Sequence, residues 1–427
     1  MPAPVRNESR ISALDVARGI ALFGILLMNI TGFGLPRAYT DPTVYGGSTG
    51  ADLWAWITTT RFFEGTQRGL FTLLFGAGIV LMTRSLEASG KPNAQDYFFR
   101  RNLWLVVFGV VHAFLLLWLG EILFYYGVTA LFIYGLRHAK TKTLLGLAFG
   151  ALFLAAVWNG LDTYNALKTH DRYAATAVAR TAGDSLNAEQ QEAVKAWEGL
   201  EKRYKPDSAS LQKEIAAKKG SYWSVLSFQA PRVMRSQSWW LYRYFFDAFA
   251  MMLLGIVLFR QRIITAEAPR RTYWTMIVAG YTLGIIVNYY EVSHILQNDF
   301  SVLSFLRTDI TYDVGRLALT AGHLGVIMLF CQSKAIGWLK SALGAVGRMA
   351  FTNYIMTSII CAFVFYGFGL GLFGDLRRHQ LYYVVGAIWL VQLILSPIWL
   401  SRYRFGPLEW LWRWLTYGEK PAMRRVA

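Results

Sequence analysis

The sequence is poor in charged residues and in cysteine. Only 16% of its 427 residues are charged, compared with about a quarter in soluble globular proteins. The two cysteines, Cys331 and Cys361, both lie in apolar segments, so neither a disulfide framework nor a thiolate metal site is expected. With 55% hydrophobic residues, disorder and collagen-like repeats are excluded as well.

Several familiar catalytic signatures are also missing. The chain has no GxxxxGK[ST], GxSxG, HExxH or CxxC string, which excludes the usual phosphate loop, nucleophile elbow and zinc-protease motifs. We therefore expect no ATP hydrolysis within this chain and no resident metal. The glycines of GAG at 76–78 and of YGFGLGLFG at 366–374 are interpreted as sites of close helix packing.

Long hydrophobic stretches dominate what the sequence does contain. A bilayer core of about 30 Å requires about 20 apolar residues per helix, which predicts an all-α, polytopic integral membrane protein with about ten spans. The fourth stretch is short and could be re-entrant, because Glu121 directly follows Gly120. The first hydrophobic stretch is interpreted as a retained membrane helix rather than a cleavable signal peptide, because it lacks a small-residue cleavage site. The predicted spans are 14–35, 66–84, 102–119, 121–136, 143–162, 239–259, 273–292, 311–332, 349–373 and 381–400.

Basic residues are distributed unevenly between these spans. The 43 Lys and Arg outnumber the 26 Asp and Glu. If the N-terminus is inside, 22 Lys and Arg lie in the cytoplasmic segments 1–13, 84–101, 137–142, 260–272, 333–348 and 402–427, and four lie in the opposite short segments 36–52, 293–310 and 374–380. This bias predicts that both termini lie in the cytoplasm. We expect these basic residues to lie beside the anionic headgroups of membrane lipids, which are the predicted partners, and we expect no nucleic-acid partner.

One segment differs in composition and divides the chain. Residues 163–238 mix charges with helix-forming residues and are predicted to form an extracytoplasmic helical insert, either a solvated spacer or a lid over a substrate site. Asn187 or Ser185 is expected to cap its central helix, and Trp197, Leu200 and Tyr204 form one apolar stripe. The predicted units are an N-terminal five-helix half (1–162), the insert (163–238), a C-terminal five-helix half (239–401) and a cytoplasmic interfacial amphipathic tail (402–427).

Ionisable side chains inside the apolar stretches are the main functional signal. A charged group in a membrane helix costs about 3 kcal/mol or more and normally faces a protein interior or a water-filled cavity. The candidate substrate-binding residues in the non-cytoplasmic half of the membrane are Glu64, Arg68, Asp247, Asp313, Arg316 and His323, and those at the cytoplasmic end are Asp15 and Arg18. Asp15 and Arg18 have a second interpretation, as an interfacial ion pair that orients the first helix.

His112 is the main candidate for chemistry. It lies about 16 Å along its helix from Arg101, at 1.5 Å per residue, and Glu121 follows at the outer mouth of the helix. A membrane histidine is often an interhelical hydrogen-bonding residue, and we expect this role for His323. His112 has the same structural interpretation and a second one. Because carboxylates are predicted at a similar depth, and an imidazole held by a carboxylate can act as a general base, His112 is also a candidate general base.

Five strings of the sequence are distinctive: RISALDVARGIALFGILLMNI (10–30), LFTLLFGAGIVL (70–81), GVVHAFLLLWLGEIL (109–123), GRMAFTNYIMTSIICAFVFYGFGLGLFG (347–374) and SPIWLSRYRFGPLEWLWRWLTYG (396–418). Together they resemble the YeiB family of bacterial inner-membrane proteins, which carry a domain of unknown function, and the resemblance implies the same membrane for this chain. That family is similar in its first helices to heparan-type transmembrane acyltransferases.

The resemblance implies transfer of an acyl group from cytoplasmic acyl-CoA to an envelope glycan or lipid acceptor, with a homodimer as one assembly. Asp15, Arg18 and Gly19 match the D-x-x-R-G string of the acyltransferases, and Asn29 matches an Asn near their active site. Their catalytic His has no counterpart in residues 30–63. His112 is the candidate substitute base, with Glu121 supporting it and Asn29 or Arg68 stabilising the oxyanion.

Two other functions remain open. A proton-coupled transporter of a small anionic or lipid substrate would also carry intramembrane carboxylates and histidines, and two halves of five helices suit a repeat arrangement. A lipid-organising scaffold without chemistry would instead have a pocket lined only by apolar groups.

Overall fold

The structure is a computed structural model that describes residues 12–88 and 94–425. Parts of the predicted basic segments 1–13 and 84–101 lie outside the described residues. Within the described residues all regular structure is helical, and an isolated antiparallel bridge joins Tyr403 to Arg424. The all-α prediction is therefore confirmed.

The first part of the chain forms six helices. The last of them has 35 residues, so it is roughly 52 Å long and extends well beyond the apolar stretch predicted for it. The helices are α1 (Ser12–Gly34), α2 (Gly50–Phe62), α3 (Thr66–Ala88), α4 (Ala94–Phe114), α5 (Leu123–Ile133) and α6 (Thr141–Ala175), and a 3₁₀ turn (Tyr134–Leu136) follows α5.

Four helices form the insert and eight complete the chain. The insert helices are α7 (Ala177–Ala182), α8 (Ala188–Tyr204), α9 (Ser208–Lys218) and α10 (Tyr222–Gln237). The remaining helices are α11 (Leu241–Arg260), α12 (Arg270–Gln297), α13 (Val302–Thr308), α14 (Tyr312–Gln332), α15 (Gly337–Arg348), α16 (Ala350–Phe365), α17 (Arg378–Arg402) and α18 (Pro407–Tyr417).

Helices occupy all ten predicted spans, but fewer are long and apolar enough to cross a membrane. Among the described residues six qualify, or seven if α15 and α16, bent by 81° at Met349, form one span. The helix α5 has only 11 residues. The helices α4 and α12 are long enough, but their Arg, Tyr and Trp residues lower their hydropathy. The six spans are α1, α2 with α3, α6, α11, α14 and α17.

The two helices that carry Arg68 and Asp247 pack in close contact. Gly76 of α3 lies against the carbonyl oxygen of Met252, and Gly255 of α11 lies against that of Leu73. A side chain at either glycine would overlap the facing backbone, so the small residues permit this approach. The predicted packing role of the GAG string is confirmed for Gly76.

The insert continues from α6 without a break, so the predicted boundary at 162/163 falls inside this helix. Asn187 caps α8 in a capping box with Gln190, as the sequence predicts. The predicted stripe is confirmed, because Trp197 is buried and Leu200 and Tyr204 pack beside it. This stripe joins the insert to the bundle through α6 and α13.

The tail forms α18 at the opposite end of the bundle. The Trp412 indole nitrogen donates to the carbonyl oxygen of Arg101 at 2.9 Å, and the Arg101 guanidinium lies 3.6 Å above the Trp412 ring. Glu409 accepts hydrogen bonds from Thr352 at the start of α16. We call this the tail end of the bundle and the other the insert end.

The segment after α1 is fixed by contacts with α2 and α17. The Asp52 carboxylate is fully buried and lies 2.6 Å from both the Arg377 guanidinium and His379 Nδ1. Arg378 donates to the carbonyl oxygen of Ala38 at 2.6 Å. These bonds hold Arg37 and Tyr39 in place at the insert end.

Replacing Gly76 tests the close contact of α3 and α11. We expect Gly76→Ala to lower the free energy of unfolding by about 1–3 kcal/mol, because the added methyl group overlaps the α11 backbone. Thermal unfolding of the purified protein measures the loss. Gly150→Ala on α6 is the matched control, since a Cβ at Gly150 meets no atom within 4 Å; equal losses would contradict the packing interpretation.

The predicted orientation can be tested with two exposed positions at opposite ends. In spheroplasts, a membrane-impermeant maleimide should label Ser185→Cys in the insert and should reach Glu419→Cys in the tail only after permeabilisation. The wild-type protein, with buried Cys361 and half-buried Cys331, controls for background. The reverse labelling pattern would contradict the orientation.

Candidate functional site: a charged chamber beneath the insert

A chamber of about 940 Å³ lies between the insert and the bundle. Residues of α1, α3, α11, the α4–α5 connection and the insert line it. Apolar side chains such as Ile25, Met28 and Leu35 form one part of its wall. The charged lining consists of seven cations, Arg37, Arg68, Arg203, Lys218, Arg232, Arg235 and Arg243, and four carboxylates, Glu64, Glu121, Glu214 and Asp247.

A break between α2 and α3 brings Glu64 to the chamber. Gly65 has a φ of +68°, and a side chain there would overlap Tyr312 and Arg316, so glycine suits this turn. Glu64 accepts hydrogen bonds from Tyr39 at 3.3 Å and Tyr312 at 3.5 Å. Glu64 and Arg68 both line the chamber, Glu64 from the turn between α2 and α3 and Arg68 from α3.

The predicted charges of α3, α11 and α14 form one ion-pair network. The Arg316 guanidinium lies 2.7 Å from Asp247 and 2.8 Å from Asp313, and Arg68 lies 3.6 Å from Asp247. The Arg316 side chain is 2% exposed, so its charge depends on these carboxylates for solvation. Arg68 and Asp247 line the chamber, whereas Arg316 does not line it and holds Asp247 through their ion pair.

Glu121 lines the chamber and orders the start of α5. Its carboxylate accepts from the backbone nitrogens of Leu123 at 2.8 Å and Phe124 at 3.2 Å. The Gln237 amide at the end of α10 donates to it at 3.1 Å. Glu121 therefore joins the bundle to the insert, and its negative charge suits a helix N-terminus.

His112 is held by Ser358 rather than by Glu121. The His112 ring is fully buried, and its Nε2 lies 2.8 Å from Ser358 Oγ. Its Nδ1 has no hydrogen-bond partner among the described residues. The predicted pairing with Glu121 does not form, because α4 ends at Phe114 and the connection carries Glu121 away to cap α5.

Asn29 connects this buried pair with the chamber. A void of about 10 Å³, enough for one water molecule, lies between Asn29 on α1 and Ser358 on α16. Asn29 also lines the chamber itself. Asn29 and Ile25 therefore border both the void at Ser358 and the chamber, whereas His112 lines neither space.

Three predicted site residues lie elsewhere. His323 is bonded through both ring nitrogens, to Tyr281 Oη at 2.9 Å and to the carbonyl oxygen of Phe62 at 2.8 Å, as predicted for an interhelical hydrogen-bonding residue. Asp15 and Arg18 form an ion pair of 3.2 Å near the start of α1, at the tail end. The structure thus separates them from the chamber.

Sequence reasoning missed the basic wall that the insert contributes. Glu214 of α9 lies 3.4 Å from Arg37, 3.2 Å from Lys218 and 3.6 Å from Arg232. Burial lowers the pKa of Lys218, since desolvation outweighs the attraction of Glu214. The signal in the sequence was the spacing of the basic residues along α9 and α10, but such spacing is equally typical of a solvated helix surface.

The chain is similar over nearly its full length to other bacterial proteins. It is 30% identical over 407 residues to the uncharacterized protein YeiB of Escherichia coli (strain K12), covering 94% of this chain and 95% of the relative. The chain belongs to the YeiB family. Another relative is the uncharacterized protein YxaH of Bacillus subtilis (strain 168), 30% identical over 97% of this chain and 96% of YxaH.

A family model matches part of the C-terminal half of the chain. Residues 258–419 match the family described as protein of unknown function (DUF418), which includes α12 to α18. An uncharacterized 39.9 kDa protein of Bacillus acidopullulyticus is 27% identical over 98% of this YeiB-family chain and 96% of its own length. No solved structure matches the chain.

The ion-pair network can be tested by removing its buried cation. Arg316→Met leaves Asp247 and Asp313 without their shared partner, so we expect the free energy of unfolding to fall by about 3–5 kcal/mol. Asp162→Asn, which breaks the partly exposed pair with Arg243, is the matched control and should cost less than about 1 kcal/mol. Thermal unfolding in detergent compares them, and similar losses would argue against a buried network.

Proposed function

We propose that this YeiB-family protein is a membrane acyltransferase whose chamber holds the acceptor. The observation that carries the proposal is the position of Asn29, which lines both the chamber and the small void beside the Ser358–His112 pair. A histidine hydrogen-bonded to a hydroxyl is a usual source of general-base catalysis. An amide next to it is placed to stabilise an oxyanion.

The proposed reaction transfers an acyl group from a thioester to an acceptor hydroxyl. The thioester C–S bond breaks and an ester C–O bond forms. The proton of the acceptor hydroxyl passes through Ser358 to His112 and then to the departing thiolate.

Polar groups at the tail end support a site for the thioester donor. Arg18 and Arg413 each lie within electrostatic range of Arg101, and such a group of guanidinium side chains suits the phosphates of an acyl-CoA. From there α16 carries hydrogen-bonded polar side chains toward Ser358. Gln392 donates to Thr357 at 2.8 Å, and Asn353 donates to Ser396 at 3.0 Å. Amides and hydroxyls of this kind suit the polar arm of the donor.

A transporter of an anionic substrate is the second candidate. The interrupted helices favour it, since transporters commonly bind substrate where membrane helices are broken. One break, at Phe63–Gly65, opens on the chamber, and the other bends α15 against α16 by 81°. Charged residues that line the chamber are compatible with either function.

Reconstitution separates the two functions. The purified protein is placed in proteoliposomes with radiolabelled acetyl-CoA outside and membrane lipid or glycan extract inside, and label in the extract is measured after extraction. Covalent label in an acceptor supports acyl transfer. Uptake of a labelled anion without covalent transfer would support transport and contradict our proposal.

Replacing His112 tests the proposed base. We expect His112→Ala to reduce acyl transfer at least about 100-fold, because a positioned base contributes typically this much or more. Turnover in the proteoliposome assay measures the loss. His138→Ala, at an exposed histidine, is the matched control and should retain wild-type turnover.

Ser358→Ala checks the relay to His112 and should show a comparable loss. Size-exclusion profiles of all three variants establish that they are folded. Full turnover by folded His112→Ala protein would remove the base from the mechanism.

A further inference from the structure

The insert carries an excess of positive charge that faces the chamber. Around Glu214, three cations from three different segments lie within 3.6 Å or less: Arg37, Lys218 and Arg232. One carboxylate can neutralise only one of them, so the described residues leave two of these positive charges without a counterion. Lys218 is 6% exposed, and water therefore provides little of its solvation.

Further cations extend this basic wall. Arg203 at the end of α8 and Arg235 on α10 both line the chamber. Neither forms an ion pair in the described part of the chain. Among Arg37, Arg203, Lys218, Arg232 and Arg235, the ion pairs formed with described residues all involve one carboxylate, that of Glu214. We call these five cations the insert cation cluster.

The position of Lys218 is fixed by neighbouring aromatic rings. Its ammonium lies 4.2 Å from the centre of the Phe373 ring and 5.7 Å from that of Tyr366. The ring faces attract the cation and hold it at the chamber wall. A rigid cation beside guanidinium groups is an arrangement that recognises oxyanions with several acceptor oxygens.

We propose that the insert cation cluster is a binding site for a phosphate group, and that the ligand of the chamber is an amphiphile or sugar bearing such a group. The two uncompensated charges around Glu214 match a phosphate monoester dianion. The apolar wall formed by Ile25, Met28 and Leu35 then faces the remainder of the ligand. This inference rests on the proposed function only in taking the chamber as the acceptor site.

The phosphate has two possible sources, a lipid headgroup or a soluble sugar phosphate. In the first arm, the full-length protein is placed in nanodiscs of phosphatidylcholine, and glucose 6-phosphate is added. In the second arm, the nanodiscs contain phosphatidic acid, and no soluble phosphate is added. Thermal unfolding reports binding in both arms, because a ligand that binds only the folded state raises the unfolding temperature in proportion to its occupancy.

We expect the wild-type protein to be stabilised in one arm, which identifies the source. The double variant Lys218→Met with Arg232→Gln should bind at least about tenfold more weakly, since each charge-assisted hydrogen bond contributes that much or more. Lys213→Met on the exposed side of α9 is the matched control and should bind like wild type. Equal binding by the double variant, or no stabilisation of wild type in either arm, would overturn the inference.

Glu214→Gln distinguishes a binding site from a purely structural cluster. Removing the single carboxylate leaves all three cations free to meet the anion, so we expect this variant to bind the phosphate ligand more tightly than wild type does. A structural cluster predicts a lower unfolding temperature with no gain in affinity, and that result would contradict the inference. The variant also keeps the test valid if the double variant fails to fold.

The outcome is independent of catalysis, because no acyl donor is present. A protein that binds phosphate through the insert but transfers no acyl group would reject the proposed function and leave this inference intact. A protein that transfers acyl groups equally well with and without Lys218 and Arg232, and that binds no phosphate, would reject this inference alone.

Discussion

The structure depends on how charges are accommodated inside an apolar helical bundle. A guanidinium that loses water must recover its solvation from carboxylates at short distance. Arg316 does so through Asp247 and Asp313, and this pairing fixes α11 against α14. Asp247 is also the partner of Arg68, so the network sets the position of the charges that reach the chamber. A chamber in the bundle without this support would expose isolated charges to an apolar surrounding.

The chamber forms where regular helices are interrupted. The turn at Gly65 ends α2 and turns Glu64 inward, and the connection after α4 places Glu121 at the same wall. Backbone that is not helical is tolerated inside a membrane protein only where it is buried or lines a cavity. The close glycine contact of α3 with α11 holds the adjoining helices together. The insert then closes the open end through Gln237, which donates to Glu121.

The two parts of the site differ in their electrostatics. The insert wall is rich in cations, of which Arg37 and Arg232 are partly exposed and Lys218 is buried. The pair of His112 and Ser358 is buried, and neither side chain has a charged partner among the described residues. Asn29 stands between them. A ligand held by its anionic group at the insert wall would therefore place its other end near this pair.

The sequence by itself determined the helical class, the capped helix at Asn187 and the presence of Glu64, Arg68 and Asp247 at similar depth, because hydropathy and capping are local properties of the chain. For Asp15 and Arg18, three residues apart on one helix, it allowed either an ion pair or a substrate-binding role, and the structure shows the ion pair. Only the tertiary structure decided that Ser358, 246 residues away, is the partner of His112. It alone decided that Lys218 and Arg232 face the chamber. Such contacts join distant segments, and their geometry depends on the packing of whole helices rather than on spacing within any one of them.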